Sequence, residues 1–502
     1  SDAIYNASYI VFEFEVYSYY LQQVLILNWR RWLTERFIEI WLKNKTYYNL
    51  QMFGKDTDNP DQRISEDVRL FVEMTLSFAI GLLKAVTTLA SFVVILYELS
   101  GSLKFNLFGQ EWEISGYLFW AAFFYSILGT WVTHLVGRKL VKLNFIQQRY
   151  EADFRFSMIR LRESSESVAF YRGEGQESKV FKERFTLLLD NFWKIVNKQK
   201  QLVWLNSGYS QIAIIFPFVA AMNRYLAKEF TLGGLMQVAS AFGRVQDSLS
   251  YFVDTYSSLA TWQSVVMRLT YFGRHMQEVS AEAERFHLER FVAAEEVRAD
   301  NMQVNLPDGT PLLQNINFTL EPGSNVLIRG ISGSGKSTLL RAIAGIWPFV
   351  EGKIVLPEQE KLMFIPQKPY LPLGSLREAL LYPGNKPVND EVLVNLMEEC
   401  QIGYLKDKLD IVADWSHVLS VGEQQRLAYV RAHIQEPVWL FLDEATSALD
   451  EETEAKMYSL IGERLANTTI VSIGHRSTLN KYHQLVLELD KNNKSVTLKT
   501  LE

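Results

Sequence analysis

The stretch Gly330-Ile331-Ser332-Gly333-Ser334-Gly335-Lys336-Ser337 decides how the C-terminal part of this chain folds. It fits every fixed position of the P-loop pattern G-x-x-x-x-G-K-[ST]. An apolar, strand-like run, Asn325-Val326-Leu327-Ile328, leads into it, and a helical pattern over residues 338–344 leads out. In that context glycine-rich backbone closes around phosphate oxygens and a helix N-terminus adds positive potential. The spacing predicts nucleotide binding by Gly330, Ser332, Gly333, Ser334, Gly335, Lys336, Ser337 and Thr338. Lys336 would reach the outer phosphates and the Ser337 hydroxyl would ligate Mg2+. The alternative is a glycine-rich turn that holds no phosphate, and the downstream sequence weighs against it.

About a hundred residues on, Val438-Trp439-Leu440-Phe441-Leu442-Asp443-Glu444 is an apolar strand that ends in two carboxylates. Asp443 is placed for the magnesium shell and Glu444 for polarising an attacking water. Gln367 follows another short apolar run and is a candidate for contact with Mg2+ or the water. His475 follows Ser472-Ile473-Gly474 and is a candidate for the γ-phosphate, against the plainer reading of a structural histidine. Glu444, His475 and Gln367 are thus the candidate catalytic set, and Ser337, Gln367 and Asp443 the candidate metal set. Strand-type runs at 301–305, 316–320, 326–328, 362–365, 438–442 and 469–473 interleave with helical patterns, which predicts an α/β layer.

The first 270 residues follow different physics. At 502 residues the chain is too long for one ordinary domain, and 48% of it is apolar, with 13% aromatic. Residues 114–136 and 204–225 are apolar over about the 20 positions that a membrane helix needs. Residues 70–97 are similar despite Glu73 and Lys84, and 9–27 are weaker because of Glu13 and Glu15. Basic residues cluster in 28–69 and 137–202, whereas 98–113 and 227–231 hold only Lys104 and Lys228. The positive-inside rule therefore places the two long basic segments in the cytoplasm. The alternative is a soluble helical domain with solvated basic loops.

Residues 234–269 read as one long helix, with Leu235, Val238, Phe242, Val245, Leu249, Phe252, Tyr256 and Leu259 on an apolar face. A polar stripe of Gln237, Ser240, Arg244, Asp247, Tyr251 and Asp254 is offset from it. At membrane depth such a stripe faces protein or water, here a translocation cavity. The competing reading is that Arg244 and Asp247 pair and hold the bundle together. A polar, glutamate-rich linker spans 271–296, giving a transmembrane domain at 1–270 and a nucleotide-binding domain at 297–502. The net charge of −6 gives no pointer to nucleic acid, and Cys400, the one cysteine, forms no disulfide within the chain. The chain opens Ser1-Asp2 with no basic n-region, so no signal peptide is read and a trimmed start is expected.

Leu419-Ser420-Val421-Gly422-Glu423-Gln424-Gln425-Arg426 resembles the signature sequence of ATP-binding cassette proteins, and Ser447-Ala448-Leu449-Asp450 resembles their D-loop. The resemblance implies that Ser420, Gly422, Glu423 and Asp450 meet a nucleotide held by a partner's P-loop. One set of motifs per chain then implies a homodimer. Ser420 and the Gly422 amide, ahead of a helix expected from about Glu423, would make a second anion-binding N-terminus. Val421 and Glu423 depart from the usual glycine and glutamine, and Leu306 stands where the family has an adenine-stacking aromatic.

Further motifs narrow the resemblance to the peroxisomal fatty-acyl-CoA (D) subfamily and its bacterial relatives. They are Asn59-Pro60-Asp61-Gln62-Arg63, Ser165-Glu166-Ser167-Val168-Ala169-Phe170-Tyr171, Gly345-Ile346-Trp347-Pro348 and Asp414-Trp415. Leu232-Gly233-Gly234-Leu235 resembles the last membrane helix of a bacterial branch that imports cobalamin, bleomycin or antimicrobial peptides. The expected fold is an exporter-type membrane α-helical bundle fused to an α/β P-loop cassette. The family has six membrane helices; five are read here, the first expected before Ser1. Coupling helices are expected at 59–67 and 171–177.

The expected function is ATP-driven transport by a homodimer, with ATP and Mg2+ as cofactors and the cassette in the cytoplasm of a bacterial inner membrane. The expected partners are a second copy, membrane lipid and a transported small molecule or peptide, with no nucleic acid. Fatty acid or acyl-CoA transport is the alternative cargo. Two other classes compete: a soluble cassette ATPase acting on nucleic acid, which membrane-length segments oppose, and an ATP-gated channel or regulator that does not pump.

Overall fold

A computed structural model describes residues 2–53, 59–107, 110–226, 231–283, 288–292, 295–384 and 386–501. The described chain divides into two compact units, one of Ser1–Lys43 with Asp56–Gln277, the other of Asn44–Lys55 with Glu278–Glu502.

The first unit is helical: α1 (Asp2–Leu42), α3 (Val68–Ser100), α4 (Tyr117–Gly137), α5 (Lys139–Glu163), α6 (Ser165–Tyr171), α7 (Glu174–Leu226), α8 (Leu232–Leu249) and most of α9 (Tyr251–Ala283). A β-hairpin, β1 (Ser102–Leu107) with β2 (Gln110–Ser115), joins α3 to α4, so Ile114 sits on a strand and the helix starts three residues later. Among the described residues, three helical stretches are long and apolar enough to cross a membrane: Pro60–Ser100, Tyr117–Glu163 and Glu174–Leu226. The weaker run at 9–27 lies within α1. Exposed Phe124, Ile127, Leu128 and Trp131 on α4, and Ile212, Ile214, Ile215 and Val219 on α7, form outward apolar surface. Such surface is stable only against lipid or another protein. At 53 residues, α7 is about 80 Å long, well beyond the roughly 30 Å hydrocarbon layer. Its charged N-terminal half therefore extends past the membrane. The short connection at 227–230, with Lys228, lies outside the described residues.

One expectation for this unit needs correction. The single helix expected at 234–269 breaks at Ser250, where α8 ends and α9 begins. The break rotates the buried face: Leu235, Val238, Phe242 and Val245 are core before it, but after it Val253 is buried and Phe252 is 46% exposed. A buried polar cluster sits at the break, where the Tyr209 hydroxyl and Ser250 Oγ are 2.6 Å apart and Gln246 Nε2 donates to Ser250 Oγ at 2.9 Å.

The two segments expected as coupling helices differ in build. Residues 59–67 belong to the helical unit and wind through a π-helical turn. That turn buries Asp67 between Arg63 (2.7 Å) and a bidentate Arg268 (2.6 and 2.9 Å), leaving Asp61 and Ser65 on the exposed side. The other segment is an exposed turn, with Tyr171 86% accessible.

The second unit contains α2 (Thr46–Phe53) and the cassette. Asn44 takes a left-handed conformation (φ 52°) that turns the chain into α2. Lys45 Nζ donates to the Gly345 carbonyl at 3.1 Å, and Phe53 packs on Phe349 with ring centroids 4.7 Å apart. Gly345 closes the helix that follows the P-loop, so Lys45 sits where the helix dipole favours a cation. Burial, and Arg290 beside it, hold the Lys45 ammonium below its usual pKa.

The cassette has two large sheets, besides a short pairing of Gly374–Ser375 with Val412–Ala413. One is β3 (Leu288–Val292), β4 (Val297–Asn305), β5 (Pro311–Leu320) and β7 (Val350–Leu356), in the order β3-β7-β4-β5. Residues 271–296, read as a linker, thus comprise the end of α9 and the strand β3. The other sheet comprises β6 (Val326–Arg329), β8 (Leu362–Ile365), β9 (Trp439–Asp443), β10 (Thr469–Ile473), β11 (Leu485–Asp490) and β12 (Ser495–Thr500). Its order is β12-β11-β6-β10-β9-β8, parallel except for β12. Helix α10 (Lys336–Ala344) packs Leu339, Leu340 and Ile343 into a core shared by both sheets. A second core gathers Leu427, Val430, Met457, Ile461 and buried Trp415 around α11 (Val421–Gln435) and α12 (Glu451–Arg464). Cys400 belongs to this core, and burial pushes its thiol up to about 12.

Candidate active site

Parallel strands bring their carboxyl ends to one edge of a sheet, which is where α/β proteins place their ligands. Here Ile328, Ile473 and Asp443 are register partners across three strands, and Ile365 ends the fourth opposite Leu442. The P-loop leaves β6, Gln367 follows β8, Glu444 follows β9 and His475 follows β10. Topology alone therefore gathers residues that the sequence spreads over more than a hundred positions.

The P-loop has the shape that its glycines predict. Gly335 caps α10 in a left-handed conformation (φ 97°), and a Cβ there would come within 3.0 Å of Leu312. A Cβ on Gly330 would meet Ser334 Oγ at 2.5 Å and the Leu489 carbonyl at 2.9 Å. Lys336 Nζ donates to the Gly330 and Ile331 carbonyls at 2.9 and 3.2 Å, which folds the side chain back over its own loop. Burial lowers its pKa, with Glu444 and Asp443 opposing. Ser334 Oγ is buried with no hydrogen-bond partner, an orphaned hydroxyl that a phosphate oxygen would satisfy.

Ser337 Oγ donates to Asp443 Oδ1 at 2.9 Å. A hydroxyl and a carboxylate at the foot of a phosphate cradle form a hard-oxygen pair of the kind Mg2+ takes from protein, water and phosphate supplying the rest. Burial raises the Asp443 carboxyl above the ordinary range, and the Ser337 hydrogen bond opposes that shift.

Glu444 is the centre of the second cluster. Gln367 Nε2 donates to Glu444 Oε2 at 3.1 Å, and His475 Nε2 lies 3.5 Å from Glu444 Oε1. The three candidate catalytic residues are therefore in mutual reach around one carboxylate. Glu444 also takes a positive φ of 49°, uncommon for a residue with a side chain, and its N–H donates to the Ile473 carbonyl at 3.1 Å. The left-handed turn lifts its carboxylate off the strand end toward the P-loop edge.

The signature segment is organised separately. Ser420 is the N-cap of α11, which starts at Val421 rather than near Glu423. Glu423 closes a capping box: its Oε2 accepts from the Ser420 N–H at 2.7 Å and the Ser420 hydroxyl at 2.6 Å. The carboxylate that replaces the usual glutamine thus occupies donors at the helix N-terminus. Gly422 approaches the D-loop closely, since a Cβ there would sit 3.1 Å from the Ala448 carbonyl. Asp450 caps α12 through the Thr453 N–H at 2.7 Å, which holds its carboxyl below the usual range.

Two residues given no role from the sequence also belong to the site. Glu454 is a buried carboxylate that accepts from Thr446 and Thr478, each at 2.7 Å, and lies 3.4 Å from Arg476 Nη1. Arg476 in turn donates to the Leu449 carbonyl at 2.8 Å. Glu454 thereby ties the turn after Glu444 to the loop of His475 and, through Arg476, to the D-loop. Gln425 is the second. Their sequence signal is position alone: each lies one turn or so after a helix cap.

Comparison with known proteins identifies the family. The family profile described as ABC transporter transmembrane region 2 matches residues 4–226, and that described as ABC transporter matches 313–447. An ABC transporter ATP-binding protein of Haemophilus influenzae is 38% identical, over 94% of this chain and 78% of that protein. The chain belongs to the ABC transporter family. Its cassette binds ATP, and ATP hydrolysis drives transport across a membrane. The inner membrane ABC transporter ATP-binding protein YddA of Escherichia coli is 32% identical over 91% of this chain and 80% of its own. The human lysosomal cobalamin transporter ABCD4 is 28% identical over 93% and 80%, in keeping with the D-subfamily motifs. A solved bacterial Atm1-family ABC exporter superposes with a TM-score of 0.73 over 95% of this chain and 83% of its own, at 19% identity. That match establishes the exporter-type fold.

Proposed function

We propose that two copies of this chain form an ATP-hydrolysing importer of bulky hydrophilic compounds, such as cobalamin, bleomycin or peptides, in a bacterial inner membrane. The observation that carries the hydrolytic part is the convergence of Gln367 and His475 on the Glu444 carboxylate. Glu444 acts as the base toward water, Gln367 orients its carboxylate, and His475 faces the γ-phosphate side. Lys336 exchanges its two carbonyl partners for phosphate oxygens when nucleotide enters. Ser337 and Asp443, with Gln367 as a further candidate, would hold Mg2+, which would supply positive charge against the phosphates. The Ser420 and Gly422 N-terminus of α11 serves the nucleotide of the second copy, which is why one chain with one set of motifs is half a machine.

The hydrophilic-cargo reading is supported by the α8 and α9 stripe. Gln237, Ser240, Arg244, Asp247 and Asp254 are all exposed, and among the described residues no ion pair joins Arg244 to Asp247. A relative named for cobalamin and an inner-membrane relative in a bacterium point the same way. The D-subfamily motifs support acyl-CoA as the second cargo. ATPase activity in proteoliposomes, measured with cobalamin, a proline-rich peptide and a long-chain acyl-CoA side by side, separates the two: stimulation by acyl-CoA alone rejects the hydrophilic reading. Glu444→Gln should keep ATP binding and lower hydrolysis by about a thousandfold, with loss of transport. Transport that persists in this variant would mean an ATP-gated channel.

A further inference from the structure

We infer that Gln425 is a positioning residue for ATP hydrolysis, holding Gln367 and Glu444 in register from the first turns of the signature helix. The inference rests on the reading of Glu444 and Gln367 as the pair that acts on the attacking water.

Gln425 is fully buried, at 0% exposure. Its side-chain amide donates to the Gln367 carbonyl at 2.9 Å and to Ser447 Oγ at 3.3 Å, with the Glu444 carbonyl at 3.5 Å on the same side. Its Oε1 accepts from the Ala448 N–H at 3.1 Å. One side chain therefore touches the main chain of the Gln367 loop, the residue after the metal-side strand and the D-loop. A buried amide has two donor hydrogens and an acceptor oxygen to satisfy, and here they find partners on the loop after β8 and the turn after β9, past the last paired residues of those two strands.

The consequence is geometric. Gln367 meets the Glu444 carboxylate only through a 3.1 Å hydrogen bond from the end of a flexible side chain. That bond keeps its aim only if the two backbones stay at fixed separation; the β8–β9 pairing ends at Ile365 and Leu442, and Gln425 continues the link past it. Gln425 lies five residues after Ser420, the N-cap of the same helix. A shift of that helix N-terminus on meeting the second copy's nucleotide is thereby passed to the catalytic pair of its own cassette. Nothing in this contact touches the P-loop, so nucleotide affinity has no reason to depend on it.

The test is steady-state ATPase kinetics of the full chain in nanodiscs, with Mg2+ and ATP. Gln425→Met keeps volume and removes the hydrogen bonds; kcat should fall about tenfold, with KM for ATP within about twofold of the parent. In a Gln367→Ala background the same change should cost less than about a further twofold, because the residue it positions is gone. Gln425→Asn keeps the amide but withdraws it by one methylene, and should show the same loss confined to kcat. Unchanged kcat in either variant, a parallel rise in KM, or equal losses in both backgrounds would overturn the assignment. If Glu444→Gln still hydrolyses ATP, it is the catalytic pair that falls; if only Gln425→Met is silent, the pair stands and this inference alone fails.

Discussion

The helical unit and the cassette bury polar groups in opposite styles. In the helical unit, Asp67 is locked between Arg63 and Arg268, with Ser264 on the same helix as Arg268 taking one of its donors. In the cassette, Glu454 and Gln425 spread their hydrogen bonds over loops that come from different strands. The first arrangement fixes a bundle corner; the second ties separate loops together. The difference follows from the surroundings. Charges buried among packed helices are satisfied by side chains of the same bundle. An α/β edge collects loops whose backbone groups need partners and whose positions define the chemistry.

The triad should break hardest. Asp67→Asn leaves two buried guanidinium groups facing each other without a carboxylate, and loss of one partner from such a site costs about 3–5 kcal/mol. The Tm of the detergent-solubilised protein should drop by many degrees. A drop no larger than that of a surface variant such as Arg36→Ala, whose ion pair with Glu39 is exposed, would show that the triad carries no stability.

The Ser250 cluster tests whether local satisfaction also holds at a helix break. Tyr209 is stacked on Tyr125 with ring centroids 4.3 Å apart, and its hydroxyl reaches Ser250. Tyr209→Phe removes one hydroxyl and should cost about 1 kcal/mol. Gly129→Ala should cost more, because its Cβ would lie 2.4 Å from the Tyr209 ring and push it off both partners. Thermal melts of the two variants decide the order; the reverse order would mean that the ring has room to move.

Most of the cassette edge was legible because its chemistry is written locally. A P-loop needs glycines at set steps, and an apolar strand that ends in Asp443-Glu444 announces its own burial. What stayed hidden is what depends on distant partners. The run Thr46-Tyr47-Tyr48-Asn49 carries no periodic apolar face, and its seat on the cassette unit is revealed by contacts such as Lys45 on Gly345 and Phe53 on Phe349. The break at Ser250 was obscured because Leu249, Phe252 and Tyr256 continue a three- and four-residue rhythm; the phase change shows only when Val253 is seen buried instead. Strands β7, β11 and β12 also went unread. Gly352 interrupts the first, and the other two alternate apolar with polar residues at the sheet margin.

The smallest effect concerns a charge that the cassette tolerates for function. Burial raises the Asp443 carboxyl above its ordinary value, so the folded, nucleotide-free protein disfavours its charged form. The sign is then fixed. Below the unfolded value both states are protonated and Asp443 costs nothing. As pH rises through the raised folded value the carboxylate ionises at a cost, and the cost persists at neutral pH. Asp443→Asn removes it, so without nucleotide the variant should melt slightly higher than the parent at neutral pH, with the gap closing as pH falls. The substituted side chain would still accept from Ser337 through its amide oxygen but would offer the ion no charge. Added Mg2+ and ATP should therefore raise the parent's Tm more than the variant's, reversing the order. A gap that does not change with pH, or an order that nucleotide leaves alone, would show that the buried carboxylate is not held there for the metal.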